Sequence, residues 1–395
     1  MSPPGKLPRV LAPHEWVLLA AIVVVVAVTT VLDGQHTYLR SPGPSLQDIA
    51  RQTSLLGIFA LGAALVIIAG GIDLSSGAVI AFSGTVCGSI MLLLAPEAMR
   101  GGREPLGEWV IAAAIFGTLF VGFLIGTLHA WLITVVGLPP FVATLASLVG
   151  LRSLGRAITE SLADSTQIQL YDAQFRDLTK SVPLQVTLFA LLALGMWVLL
   201  SRTVVGRHLY ALGGNEEAAR LSGIRTDRLK WLAYSVAAVL SSLAGILYIG
   251  DQGVVEPQTL GRAYELNAIA AAVVGGCSLQ GGVGTGLGTV LGCIFLRVVV
   301  DGVAKIIQSG ADVYGGLIVG VLVVLAVAFN EWRRIRAGGK HFFPGALGWA
   351  AASVLVLFAG TVVAVFVGNA RNAELHPAIA GTAAAALVGA LISTG

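Results

Sequence analysis

Charge is what this chain lacks. Its 395 residues include 24 Lys and Arg and 21 Asp and Glu, so 11% are charged, against about a quarter in a typical soluble domain. Hydrophobic residues make up 56%, and mean hydropathy is +0.86. A soluble fold this apolar would have too little polar surface to cover itself, and a disordered chain has the opposite composition. Net charge is only +3 and no soluble face gathers the basic residues, so nothing supports binding to nucleic acid. Cysteine is scarce too. Cys87, Cys277 and Cys293 stand far apart in apolar surroundings, which excludes a disulfide framework or zinc site and reads as thiols buried in the core or facing lipid. His14, His36, His129, His208, His341 and His376 are scattered, with no H-E-x-x-H and no G-x-S-x-G, so a metal site or membrane enzyme has little behind it. The phosphate-binding G-x-x-x-x-G-K-[ST] is missing, and G-x-G-x-x-G fails at Leu287. The chain therefore shows no nucleotide site of its own.

Long apolar runs are what it has. A bilayer core needs about 20 mostly apolar residues per helix. Such runs fall at Trp16–Leu32, Ile49–Ala69, Val79–Ala95, Trp109–Val136, Phe141–Ile158, Leu184–Leu200, Trp231–Ile249, Gly284–Val300 and Val313–Phe329, with a weaker one at Asn267–Gly276. Two more, Ala346–Val367 and Ala378–Leu391, end the chain. The runs are continuous rather than alternating, which excludes a barrel and predicts an all-α, polytopic membrane helix bundle. Lys6 and Arg9 precede the first run, but no A-x-A-like site follows it, so it reads as a retained helix. Glycine is plentiful, 50 residues. Gly122 and Gly126, Gly284 with Gly288 and Gly292, and Gly316 and Gly320 have the spacing that lets membrane helices approach closely.

The few charges are unevenly placed. Segment 201–230 carries Arg202, Arg207, Arg220, Arg225, Arg228 and Lys230, and segment 331–341 carries Arg333, Arg334, Arg336 and Lys340. Segments 159–183 and 250–266 are acidic. Positive segments stay inside, so the first pair is expected to be cytoplasmic and the second external. Six runs separate the N-terminus from 201–230, which places the N-terminus in the cytoplasm, and four, with 267–276 included, separate 201–230 from 331–341.

Four stretches say more. In Gly70-Gly71-Ile72-Asp73-Leu74-Ser75-Ser76-Gly77, two glycines end one helix and a polar cluster opens the next. Asp73 or Ser75 can cap that helix, or a broken helix can supply polar groups to a solute pathway. In 137–145, Pro139 and Pro140 stop one span and set the entry of the next, and Phe141 and Thr144 lie a turn apart on one face. An aromatic beside a hydroxyl suits a neutral polar solute; it also suits ordinary packing. In 206–224, Asn215 is a good N-cap, Glu216 and Glu217 oppose the dipole's positive end, Arg220 lies near its negative end, and Gly223 suits the C′ position. A two-turn helix over 216–222 is expected, with Ala218, Leu221 and Ile224 as an apolar edge. A helix this short needs something to pack on, either a partner subunit or the chain's own helix ends. Lastly, the apolar stretch after Tyr264-Glu265-Leu266-Asn267 is too short to cross a bilayer before the glycines of 275–284, and such a break is tolerated only where it packs in protein or lines a cavity.

These stretches, GGIDLSSG (70–77), LPPFVATL (138–145), GRHLYALGGNEEAARLSGI (206–224), YELNAIAA (264–271) and GGCSLQGGVG (275–284), resemble the permease subunit of bacterial ribose/xylose-type ABC sugar importers. The matching stretches run in the family's order from about residue 47 to 330, and 206–224 is the most specific. The resemblance implies a ten-helix permease over 16–335, a cytoplasmic tail at 1–15, and a second permease copy. It also implies two cytoplasmic ATPase domains that hold ATP and Mg, and an extracytoplasmic sugar-binding protein, all at the bacterial cytoplasmic membrane. The chain itself would hold no cofactor or metal. Within 206–224 the resemblance makes Arg207, Tyr210, Gly213, Gly214, Asn215, Glu216, Glu217, Ala218, Arg220, Leu221 and Gly223 the segment that couples to the ATPase. Asp73, Ser75, Phe141, Thr144, Asn267 and Ser278 are expected along the substrate pathway. Three residues depart from the family's pattern: Ser76 stands where Val is usual, Cys277 for Thr, and Asn267 for Asp. The extension 346–395 lies beyond the resemblance and is expected to add a packed helix pair. The alternative is an ATP-independent secondary transporter or channel for a small polar solute, which would need ionisable residues in its spans. Arg297 is the main charge within a span, and Asp301 and Lys305 follow it as a helix-end cluster.

Overall fold

The computed structural model describes residues 13–99, 101 and 105–306, with scattered helical positions between 316 and 388. Among the described residues, helices predominate and the strands form one two-residue pair. Among these residues, eight helices are long and apolar enough to cross a membrane: α1 (Pro13–Leu32), α3 (Pro42–Ile68), α4 (Ser76–Leu94), α6 (Glu108–Thr134), α7 (Pro140–Ala163), α9 (Val182–Arg202), α12 (Thr226–Gln252) and α14 (Gly286–Ile306). Each falls on an expected run. The short helices are α2 (Thr37–Arg40), α5 (Pro96–Met99), α8 (Ala173–Lys180), α10 (Val204–Gly214), α11 (Glu216–Leu221) and α13 (Tyr264–Val274). The expected spans at 313–329, 346–367 and 378–391 lie largely outside the described residues.

The chain forms two compact units, residues 1–19 with 47–295 and residues 20–46 with 296–395. In the first, α12 packs against α6 and α4, and α4 packs against α6 and α7. Small residues permit these approaches. A Cβ on Gly126 would lie 2.5 Å from Ser235 Cα, and one on Gly122 2.1 Å from Ser242 Oγ. Gly288 and Gly292 bring α14 onto α13 in the same way, with Gly275 O and Ala271 O in the way of any side chain. For Gly316 and Gly320, no atom of the described residues lies within 4 Å of an added Cβ. All three cysteines are buried, and none is in a disulfide.

The weak span at 267–276 is corrected. Helix α13 has 11 residues, about 16 Å of rise, half of what a bilayer core requires. Gly275 and Gly276 stop it: Gly276 takes φ +95, Gly276 N–H donates to Val273 O and Cys277 N–H to Ala272 O, both at 2.9 Å. These are the paired bonds of a glycine-terminated helix.

In the second unit, Tyr38 of α2 donates to Asp301 Oδ2 at 2.6 Å, and Lys305 donates to both Asp301 oxygens at 2.7 and 2.6 Å. The helix-end cluster is thus a closed set of partners inside α14. Burial and the adjacent Asp301 push the Tyr38 hydroxyl pKa up. At the described positions of the C-terminal runs, Gly360 and Gly381 face one another beside Ala364 and Ala385.

Candidate functional site

The first unit has a polarity that α3 makes visible. Near its start, Arg51 pairs with Asp251 and with Asp48. The two acidic segments meet at this end, where Ile168 and Gln169 pair antiparallel with Val255 and Val254. At the other end of α3, about 26 Å away at 1.5 Å per residue, Ile68 O accepts from Gly282 N at 2.9 Å. The basic segment 201–230 lies there, because a Cβ on Gly213 would sit 1.9 Å from Ile68 O. Acidic and basic loops therefore occupy opposite ends.

Three glycine pairs from distant parts of the sequence meet at the basic end. Gly70 and Gly71 end α3: Gly70 takes φ +82, and Gly71 N–H reaches Val66 O at 2.9 Å. Gly213 and Gly214 end α10, and Gly281 and Gly282 follow α13. A Cβ on Gly281 would lie 2.6 Å from Gly213 O and 2.7 Å from Gly70 Cα, and one on Gly282 2.8 Å from Gly214 Cα. Tyr210 closes the joint by donating to Gly284 O at 2.8 Å. Burial, with Cys277 nearby, pushes the Tyr210 hydroxyl pKa up. Backbone thus touches backbone where α10, the end of α3 and the loop after α13 converge. The substitution of Thr by Cys at 277 is accommodated here: its sulfur sits 3.7 Å from Thr289 Oγ1 and is fully buried.

The expected two-turn helix is present as α11. Asn215 Oδ1 accepts from Ala218 N at 2.9 Å. Gly223 takes φ +80, and Ile224 N–H reaches Ala219 O at 3.1 Å. What holds α11 to its own chain is buried Ala219 and the ion pair from Glu216 to Lys230 at 2.6 Å. Of the expected apolar edge, Ile224 is half-buried and the other two residues face outward. Leu221 is 84% exposed and Ala218 is exposed. Arg207, Glu217 and Arg220 are also exposed. Sequence reading missed α10, which precedes α11 where a loop was expected. Thr203 caps it by accepting from Gly206 N at 3.0 Å, and Leu209 and Leu212 bury one face. Thr203 with that spacing was the available signal.

Along the expected pathway, the chain between α3 and α4 has no regular secondary structure over residues 71–75. Asp73 is buried, and its Oδ1 accepts from Ser75 N at 2.8 Å and Ser75 Oγ at 2.6 Å. Asp73 thus bonds the residue that precedes α4 rather than an N–H of the helix, and the Ser75 side chain makes no cap bond. Thr144 joins this segment by donating to Ile72 O at 3.4 Å and Pro140 O at 2.9 Å. Phe141 does not join it. It is 49% exposed while Thr144 is fully buried, so the two do not present one common surface. Asn267 and Ser278 are half-buried, and Ser278 O receives Gly281 N at 2.9 Å inside the glycine turn. No group of three His, Cys, Asp or Glu among the described residues could hold a metal. A cavity of about 460 Å³ between α6 and α8, lined by Ile111, Phe116 and Leu178 among others, contains none of the expected residues.

Residues 45–327 match the family described as branched-chain amino acid transport system / permease component. The chain belongs to this permease family. Among its relatives is the ribose import permease protein of Escherichia coli K12, 34% identical over 313 residues, 78% of this chain and 90% of the relative. The fructose import permease protein of Rhizobium meliloti is 31% identical over 294 residues, 72% and 77% of the two chains. The galactose/methyl galactoside import permease protein of Escherichia coli K12 is 30% identical over 304 residues, 74% and 88%. No solved structure matches the chain. The permease is a multi-pass membrane protein and a transport component rather than an enzyme. Both the glycine joint and the irregular segment at Asp73 lie within the matched residues.

Proposed function

We propose that this permease is the membrane-spanning subunit of an ATP-driven importer that moves a neutral monosaccharide across the bacterial inner membrane by alternating access. Relatives named for ribose, fructose and galactose support the sugar. A second permease copy, two cytoplasmic ATPase domains carrying ATP and Mg, and an extracytoplasmic sugar-binding protein complete the assembly. The basic end faces the cytoplasm by the distribution of positive charge, which puts the N-terminus inside, and residues 16–335 form the transport domain.

The observation that carries the reading is the glycine joint. Helix α11 offers an exposed face while α10 touches, backbone to backbone, both breaks in the helical pattern. A push on α10 and α11 by an ATPase is therefore delivered directly to the chain leading to Asp73 and to the loop behind α13. A partner shifts such an equilibrium only by contacting the two states differently, and α11 is the surface through which that difference would be read. Broken helices with polar ends facing the path are how membrane carriers place solute sites.

The test is uptake of radiolabelled ribose, fructose and galactose into vesicles holding the permease with its ATPase and binding protein. Glu217→Arg and Leu221→Asp change exposed α11 residues, so the expected result is normal folding with loss of ATPase binding and of ATP-dependent uptake. Unchanged binding and uptake in both variants would overturn the coupling role. Uptake by the permease alone, without ATPase, would favour a secondary transporter.

A further inference from the structure

Two helices open beside each other in the first unit: α4 at Ser76 and α13 at Tyr264. They meet at Gly77 and Glu265, where a Cβ on Gly77 would lie 2.2 Å from Glu265 Oε2 and 2.3 Å from Gly261 O. Glycine at 77 thus brings the Glu265 carboxyl against the first turn of α4.

That carboxyl is unusual. Glu265 is 9% exposed, and its Oε2 has no hydrogen-bond partner among the described residues. Ser76, in the adjoining position of α4, is 2% exposed, and its Oγ also lacks a partner. Buried polar atoms are nearly always bonded, and an orphan calls for an explanation. Arg152 acts on Glu265 electrostatically, but its guanidinium is committed elsewhere. It donates to Pro257 O at 3.1 Å, Leu260 O at 2.9 Å and Gly261 O at 2.9 Å. Asp73 on the neighbouring segment is different, because its Oδ1 is occupied by Ser75. The orphan pair therefore consists of an acceptor, Glu265 Oε2, and a hydroxyl, Ser76 Oγ, which can both donate and accept.

We propose that Glu265 and Ser76 form a hydroxyl-recognising subsite of the transport path. A sugar hydroxyl both donates and accepts, so it can give its proton to Glu265 Oε2 and receive that of Ser76. The subsite is closed in this structure. It opens when α13 moves relative to α4, and α13 is only 11 residues long, with the loop that follows it held in the glycine joint. This inference rests on the importer reading above.

The experiment uses the reconstituted complex with saturating D-ribose, D-fructose and D-galactose, then the single-position deoxy analogues of whichever sugar wild type transports. Glu265→Gln and Ser76→Ala are compared with wild type, and melting temperature is followed in parallel. The expected result for Glu265→Gln is an uptake loss of at least about tenfold, with preference for the parent sugar over one deoxy analogue falling toward unity. Ser76→Ala is expected to weaken preference at the same hydroxyl. Uptake within about twofold of wild type in both variants, or a loss that tracks melting temperature and is equal for every analogue, would overturn the subsite alone. Absence of ATP-dependent uptake of all three sugars by wild type would instead overturn the importer reading and the subsite with it.

Discussion

At the scale of single residues, glycine decides where this permease can bring backbone to backbone. Gly213 and Gly214 are neighbours in sequence and opposites in surroundings. A Cβ on Gly213 would strike Ile68 O at 1.9 Å, and nothing lies within 4 Å of one on Gly214. Gly213→Ala is expected to cost about 1–3 kcal/mol by overpacking, and Gly214→Ala to leave folding within about 0.5 kcal/mol of wild type. Thermal unfolding of the two purified variants checks this; equal melting temperatures would contradict the joint. The sequence showed these glycines as a coupling motif through family resemblance, but not which of the pair is crowded, because crowding is set by Ile68 and Gly282, far away in the chain. Asn215 and Gly223 were legible for the opposite reason. A cap bonds within its own helix end, so its chemistry is written locally.

At the scale of elements, the apolar runs announced the eight long helices because a bilayer demands length and continuity. Helix α10 was hidden by its three glycines, and α13 was overcounted as a span because hydropathy does not record where a helix stops. Thr144 is buried and reaches Ile72 O while Phe141 is half exposed, since one turn of spacing does not decide which residue a neighbouring helix covers. Glu265 lay inside a quoted motif yet was not singled out; its isolation depends on Arg152 being engaged by the 257–261 carbonyls. That engagement gives a prediction for α7. Arg152→Lys replaces a planar fork with a single ammonium, which cannot hold Pro257, Leu260 and Gly261 together as Arg152 does. Hydrogen exchange across residues 253–263 is expected to speed up by about tenfold or more, in line with losing charged hydrogen bonds of about 1.5–3 kcal/mol each. Unchanged exchange there would show that the loop is held by other contacts.

At the scale of the whole molecule, the scarce charge does two things. It separates an acidic end, where segments 159–183 and 250–266 pair, from a basic end built on 201–230. It also leaves the spans with few ionisable groups, and Asp301 and Lys305 among them already satisfy each other. That scarcity agrees with the proposal that transport energy enters from outside the chain, through α11 and the joint beneath it. The most direct measurement is hydrogen exchange of the reconstituted permease–ATPase complex, with and without a non-hydrolysable ATP analogue, followed in peptides covering 66–77, 209–224 and 275–286. The account predicts that the analogue alters exchange in all three stretches together, and that Glu217→Arg abolishes all three changes. Altered exchange in 209–224 alone, with 66–77 and 275–286 untouched, would contradict it.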